Sequence, residues 1–299
     1  MAEIVNFYES SQKNVEKTIL LIVGFIVFMI FFGYIIGNLV GDSTSLVFFA
    51  FVFSIISSFV SYYFSDSIVL TLSKAKLATK QEYFDYYTVV ENISLGTGIP
   101  MPKLYVIQDS AMNAFATGRD KNHSSVVATT GLLDRLDRAE IEGVMAHELS
   151  HIGNKDILLM SVVAVLVGTI VLVVDWIFRL RFTVSDNENR NVNGIFLLLA
   201  VLSAVLAPII AQIIKLAISR QREYLADATA VKFTRNPNGL ISALSKLNLD
   251  TEKLEVANRA TAHLYITNPF KGAGLNKSIN TLFSTHPLIE DRIKRLSNM

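Results

Sequence analysis

The chain alternates between long apolar runs and long polar blocks. Four apolar runs stand out, roughly Thr18 to Val40, Leu46 to Phe64, Ile157 to Phe178 and Ile195 to Ile218. Each holds about the 20 residues with which a helix crosses about 30 Å of hydrocarbon. The first is too long for a signal-peptide core and is followed by no small-residue cleavage site, so it reads as an uncleaved anchor. The pattern divides the chain into an N-terminal anchor with two spans (1–64), a polar segment (65–156), a hairpin of two further spans (157–218) and a second polar segment (219–299). Spans three and four could also dip into the membrane without crossing it.

Shorter periods appear inside the polar segments. "QEYFDYYTVVENIS" (Gln81 to Ser94) predicts a helix. "PKLYVIQ" (Pro102 to Gln108) and "SSVVAT" (Ser124 to Thr129) predict strands, being β-branched and bounded by turn residues. "LDRAEIEGVMAHELSHI" predicts a helix with a defined start. Asp137 is its N-cap, Glu140 completes a capping box, and Leu136 can staple onto Ile141. The fourth apolar run continues without a break into "SRQREYLADATAVKF" and stops at Asn236-Pro237. Gly96-Thr97-Gly98 and Gly272-Ala273-Gly274 lack a phosphate-loop context and read as turns. The fold expected is a membrane protein, mainly α, with four transmembrane helices and a small α+β region.

Composition agrees. Hydrophobic residues make up 51% of the chain and charged residues only 18%, where soluble domains carry about a quarter. A net charge of +1 gives no electrostatic case for nucleic acid. There is no cysteine, which removes disulfides, thiolate metal sites and cysteine nucleophiles together. With a cytoplasmic N-terminus, the cytoplasmic flanks of the spans carry Lys13, Lys17, Lys74, Lys76, Lys80, Lys155, Lys215, Arg220 and Arg222. The other side carries Arg179, Arg181 and Arg190. That imbalance sets the expected orientation.

The candidate chemistry is "HELSH", His147 to His151. Residues four apart share a helix face, so His147 and His151 can aim ring nitrogens at one metal ion. Glu148 is displaced about 100° around the helix, where it can reach a metal-activated water without being a ligand. This is the zincin arrangement of two histidine ligands and a carboxylate base. A catalytic zinc needs a third protein ligand. The metzincin extension is excluded, because Asn154 and Ile157 stand where it needs Gly and His. The other histidines are His123, His263 and His286, and the best carboxylate is Glu223. An antiparallel hairpin of two spans returns the chain to the side it left, bringing Glu223 towards His151. Asp227, one turn on, can accept the outer N–H of a ligating histidine. The bland alternatives are a snorkelling Glu223 paired with Arg220 or Arg222, and a surface ion pair for Asp227. Two histidines and a carboxylate also suit iron. The functional alternatives are a metal-binding membrane transporter and an inactive scaffold. Spans poor in ionisable residues weigh against the first.

Taken together, these segments resemble the HtpX-type membrane zinc metalloproteases, relatives of the CAAX-prenyl endoproteases. The resemblance runs through two N-terminal spans, "MNAFATG" (Met112 to Gly118), "MAHELSHIGNKD", two further spans, "SRQREYLADATA" and "STHPLIEDRIKRL". It implies one zinc ion held by His147, His151 and Glu223, with Glu148 as general base. It implies a zincin-like catalytic region at the cytoplasmic face of a bacterial inner membrane. The implied partners are polypeptides, above all misfolded or damaged membrane proteins, and the lipid bilayer. By the same likeness Asn113 to Ala116 could pair with substrate backbone as an edge strand, or be a plain structural turn. His286 could stabilise an oxyanion or be a loop residue before a helix.

Overall fold

The computed structural model describes residues 7–184, 219–257, 260–270 and 287–299. Two long helices open it, α1 (Phe7–Val40) and α2 (Ser43–Leu72). They fold back on each other where Gly41 takes φ 87°, a left-handed turn conformation easy only for glycine, and Asp42 caps α2 by accepting from the Ser45 N–H at 3.1 Å. Outward faces are apolar and exposed, with Ile19, Val27 and Phe31 on α1 and Phe48, Phe49 and Phe59 on α2. The inward face of α2 is made of small residues, Ala50, Ser54, Ser58, Ser61 and Ser65. Small side chains let helix backbones approach closely where lipid offers no hydrophobic drive between helices. Phe48, Phe49 and Phe59 then face outward as bulk, which suits contact with acyl chains.

A four-stranded sheet follows. Its strands are β1 (Lys76–Leu77), β2 (Lys103–Ile107), β3 (Ala114–Asp120) and β4 (His123–Thr129), in the order β1-β2-β4-β3. β2 runs parallel to β4, and β3 and β4 form an antiparallel hairpin. Helix α3 (Phe84–Thr97) lies between β1 and β2 in sequence and ends on Gly98, which takes the left-handed C-cap conformation at φ 72°. A short α4 (Thr130–Arg135) leads to α5 (Arg138–Gly153). The capping box forms: Asp137 accepts from the Glu140 N–H at 2.9 Å, and Glu140 accepts from the Asp137 N–H at 2.8 Å. Leu136 and Ile141 join the same core cluster. From Glu140 to Ile152 α5 is buried almost all round, between the sheet, α3 and α8 (Pro237–Leu249).

α5 and α8 cross at glycine. A Cβ on Gly143 would lie 2.6 Å from the Leu240 backbone nitrogen, and one on Gly239 would lie 2.5 Å from the Ala139 carbonyl oxygen. Gly143→Ala is therefore expected to destabilise the protein by about 1–3 kcal/mol through overpacking. Thermal unfolding in detergent checks this; an unchanged midpoint would mean that the helices do not cross so closely.

Helix α6 (Asp156–Val184) carries the third apolar run, which holds a candidate span. Its first four turns are enclosed by protein: Ile157, Leu159, Ser161, Val162 and Val163 are fully buried, and exposed apolar side chains begin only at Val171 and Leu172. Val162 and Leu166 pack with Phe25 and Met29 of α1, and the Ser161 and Thr117 hydroxyls meet at 2.8 Å, joining α6 to β3. A helix apolar on every side belongs either in lipid or in a core; the first half of α6 is core. Among the described residues three helices are long and apolar enough to cross a membrane, over Gln12–Asn38, Ser43–Leu72 and Asp156–Asp175. The fourth run, 195–218, lies outside the described residues, as do His286 and the Gly272 triplet.

Helix α7 (Arg220–Thr234) starts afresh. Ser219 has extended backbone (φ −114°, ψ 127°), so α7 begins at Arg220 and does not run back through Ser219. Arg235 in the left-handed region and Pro237 at the start of α8 end α7, close to the expected stop. The last described element, α9 (Ile289–Leu296), packs on α7 and α8, with Arg295 over the Tyr224 ring at 3.8 Å.

Candidate metal centre

The site forms where α5, α6, α7 and α9 meet. His147 and His151 are one turn apart on α5, and their Nε2 atoms face each other at 3.2 Å. Glu223, in the first turn of α7, places Oε2 3.7 Å from His147 Nε2 and Oε1 3.6 Å from His151 Nε2. Ligand atoms about 2.0–2.1 Å from a tetrahedral ion are about 3.3 Å from one another. The 3.2 Å between the two Nε2 atoms is close to such an edge, and the Glu223 carboxylate lies beside both nitrogens, one oxygen facing each. Among the described residues this is the one group of His, Asp and Glu side chains able to converge on a metal ion.

Both rings are oriented from behind. His147 Nδ1 lies 3.0 Å from Asp227 Oδ1, and His151 Nδ1 lies 3.0 Å from Asp156 Oδ2. A carboxylate at Nδ1 accepts the ring N–H, which leaves the Nε2 lone pair free to ligate. Two lone pairs and a carboxylate aimed at one small space repel unless a cation sits among them. Asp156 reaches its place through the joint between α5 and α6. Lys155 turns the chain with φ 57°, so α6 begins five residues after His151. Asp227 is held in turn by Arg292 of α9. Its Nε and Nη2 donate to the two Asp227 oxygens at 2.9 and 2.6 Å, and its Nη1 lies 3.8 Å from Glu223 Oε2.

Charge points the same way. Glu148, Glu223, Asp156 and Asp227 are buried, and so are Arg222 and Arg292. With both histidines neutral, as ligation requires, four carboxylates outnumber two guanidiniums, and a cation offsets the excess; buried charge left unbalanced is costly. Burial pushes the Glu148 carboxyl pKa up, and Glu223 adds to the rise, against the opposing pull of His147, His151 and Arg292. Burial acts against a charged His151, but the hydrogen bond to Asp156 and the charges of Glu223, Asp156 and Glu148 outweigh it and lift its pKa to about 9 in the metal-free protein. For Asp227, burial is outweighed by Arg292 and by the hydrogen bond to His147, which hold it well below the usual carboxylate range.

The remaining candidates fall elsewhere. His123 is exposed and pairs with Asp120 at 2.8 Å. His263 is buried with Nε2 2.9 Å from the Met160 carbonyl oxygen. β3 is an edge strand, but its outer side is occupied by the chain itself. The Ala114 carbonyl accepts from the Ile266 N–H at 2.9 Å, and the Gly118 N–H donates to Ser161 Oγ at 3.3 Å. Asn113 belongs to this closure, donating from Nδ2 to the Thr267 carbonyl at 3.1 Å. Sequence reasoning missed Asp156 and Arg292. The signal for Asp156 was an acid opening the next helix five residues after His151. For Arg292 there was none beyond its place in "EDRIKRL".

Comparison with known proteins shows the family. Residues 84–299 match peptidase family M48. A protease HtpX homolog of Thermoanaerobacter pseudethanolicus is 44% identical over 298 residues, covering 98% of this chain and 97% of its own. The Dictyoglomus thermophilum homolog is 44% identical, covering 98% and 95%, and that of Streptococcus uberis 39%, covering 98% and 99%. Among solved structures, Ste24p of S. mikatae superposes with a TM-score of 0.51 at 18% identity, over 97% of this chain and 67% of its own, a likeness of fold. The chain belongs to peptidase family M48. It is a membrane metalloprotease of the HtpX type.

Proposed function

We propose that the chain is a zinc endopeptidase in which His147, His151 and Glu223 hold the ion and Glu148 is the general base. The observation that carries this reading is the convergence of two Nε2 atoms and a carboxylate within 3.2–3.7 Å, with both Nδ1 atoms against carboxylates. Zinc, when bound, supplies a Lewis acid for the scissile carbonyl and lowers the pKa of water. Glu148 takes the proton of the attacking water on its carboxylate and returns it to the leaving amine. Its burial raises its proton affinity, which suits a group that must hold a proton between the two steps. Asp227, oriented by Arg292, and Asp156 keep the rings of His147 and His151 in the ligating tautomer.

The wider proposal follows the same logic. Four spans flank a zincin-like region in two blocks, 65–156 and 219–299, joined by a hairpin over 157–218, behind an anchor over 1–64. The flanking lysines and arginines support a cytoplasmic site in a bacterial inner membrane. His151 lies five residues before α6, so cleavage takes place at the membrane face, within reach of misfolded or damaged membrane proteins. Metal removal tests the chemistry. The full chain, purified in detergent with zinc, is expected to hold one ion and cleave casein, to lose cleavage on chelation, and to recover it with zinc. Cleavage that survives complete metal removal would sink the reading, as would Glu223→Ala binding zinc with wild-type affinity.

A further inference from the structure

Asn14 sits near the start of α1, among the polar residues that precede its apolar run, yet it is only 3% exposed and its amide reaches out of its own helix. Nδ2 donates to Asp156 Oδ1 at 2.7 Å and to the Asn154 carbonyl at 3.4 Å. Its Oδ1 accepts from Arg222 Nη1 at 3.3 Å. The other Asp156 oxygen faces His151 Nδ1 at 3.0 Å, and Arg222 immediately precedes Glu223. One amide therefore joins α1, the start of α6 and the start of α7, and it stands a single residue away from two of the three metal-facing side chains. The chemistry needs an amide. The carboxylate requires a donor and the guanidinium an acceptor, and asparagine offers both on one short planar group. Aspartate would oppose Asp156; leucine would leave Asp156 Oδ1 without this donor. Packing of α1 against α2 rests on other residues, with Gly33 set against Ala50, so Asn14 is not needed for that pairing; its bonds run to α6 and α7.

We propose that Asn14 is a positioning residue of the metal centre. Through Asp156 it fixes the ring of His151, and through Arg222 it fixes the start of the helix that carries Glu223. The first membrane helix is on this view part of the site and not only its anchor. The proposal rests on the reading of His151 and Glu223 as metal ligands. The test uses the full chain in lipid nanodiscs as wild type, Asn14→Leu, Asn14→Ala, Thr18→Val and His151→Ala. Thr18 is the control, because among the described residues its hydroxyl bonds back to the Asn14 carbonyl, at 2.8 Å, and to no metal-site group. Zinc affinity is read by competition with a chelator, and ligand geometry by the visible absorption of the cobalt-substituted protein. Partners that orient a ligating histidine change metal affinity by about 10–100-fold. One link further out, both Asn14 variants are expected to weaken zinc binding about tenfold and to alter the cobalt bands, with Thr18→Val unchanged. If both Asn14 variants bind zinc within about twofold of wild type with unaltered bands, while His151→Ala loses it, this proposal alone falls. If His151→Ala also keeps zinc, the metal-site reading falls with it. Asn14 variants that do not fold would make Asn14 a structural brace and overturn the proposal equally.

Discussion

Glu148→Gln is expected to lower casein cleavage by about 10²–10⁴-fold while zinc content and thermal stability stay close to wild type. Glutamine keeps the volume and one oxygen but cannot accept and return a proton. The metal should stay because the converging atoms belong to His147, His151 and Glu223, with Glu148 outside that group. The fold should stay because the change removes a buried negative charge that its surroundings already disfavour; burial is the largest cause of the raised Glu148 pKa. Metal content by mass spectrometry and kcat/KM on casein check the two halves separately. A variant that keeps its zinc and cleaves within about fivefold of wild type would remove Glu148 from the role of base.

Arg292→Leu is expected to be the most destabilising single change in the site, by about 3–5 kcal/mol, because it leaves buried carboxylates without their cation. The arginine is fully buried and meets Asp227 side-on through two hydrogen bonds, with Glu223 beyond. Leucine would satisfy neither acid. Lysine carries the charge but not the fork, so Arg292→Lys should recover only part of the loss. Removing both charges together, as Asp227→Asn with Arg292→Leu, should restore most of the stability, since an apolar replacement of a buried pair is often near neutral. It should not restore zinc affinity, because the Asp227 carboxylate behind His147 would be gone. Thermal unfolding and chelator competition distinguish these outcomes. Arg292→Leu melting with wild type would show that the pair contributes nothing to the fold.

Local spacing made half of the site legible. His147 and His151 follow from helical periodicity, and the start of α5 from Asp137 and Glu140. Glu223 required only the parity argument that a hairpin returns to its starting side. What stayed hidden was long-range. Asn14 meets Asp156 across 142 residues, and Arg292 meets Asp227 across 65. An asparagine among the charged residues ahead of an apolar run, or an arginine in a charged segment, carries no periodic signal that marks it as buried. The third apolar run is one of the candidate spans, as its hydropathy predicts, but hydropathy records the avoidance of water and cannot say whether lipid or protein replaces it, so the enclosed turns before Val171 and the exposed Val171 and Leu172 read alike.

That double character of α6 sets a rule for which changes it can absorb. The steps that deliver a helix to a bilayer respond to summed hydrophobicity, and a run of leucine would satisfy them as well as the natural residues. β3 and α1 respond to shape, through the Ser161 hydroxyl beside Thr117 and the packing of Val162 on Phe25 and Met29. A chimera carrying an unrelated span after Asp156 would thus insert normally and still lose its sheet. Substitutions tolerated at the exposed Val171 and Leu172 should not be tolerated in the four turns before them, though both stretches are written in the same greasy alphabet.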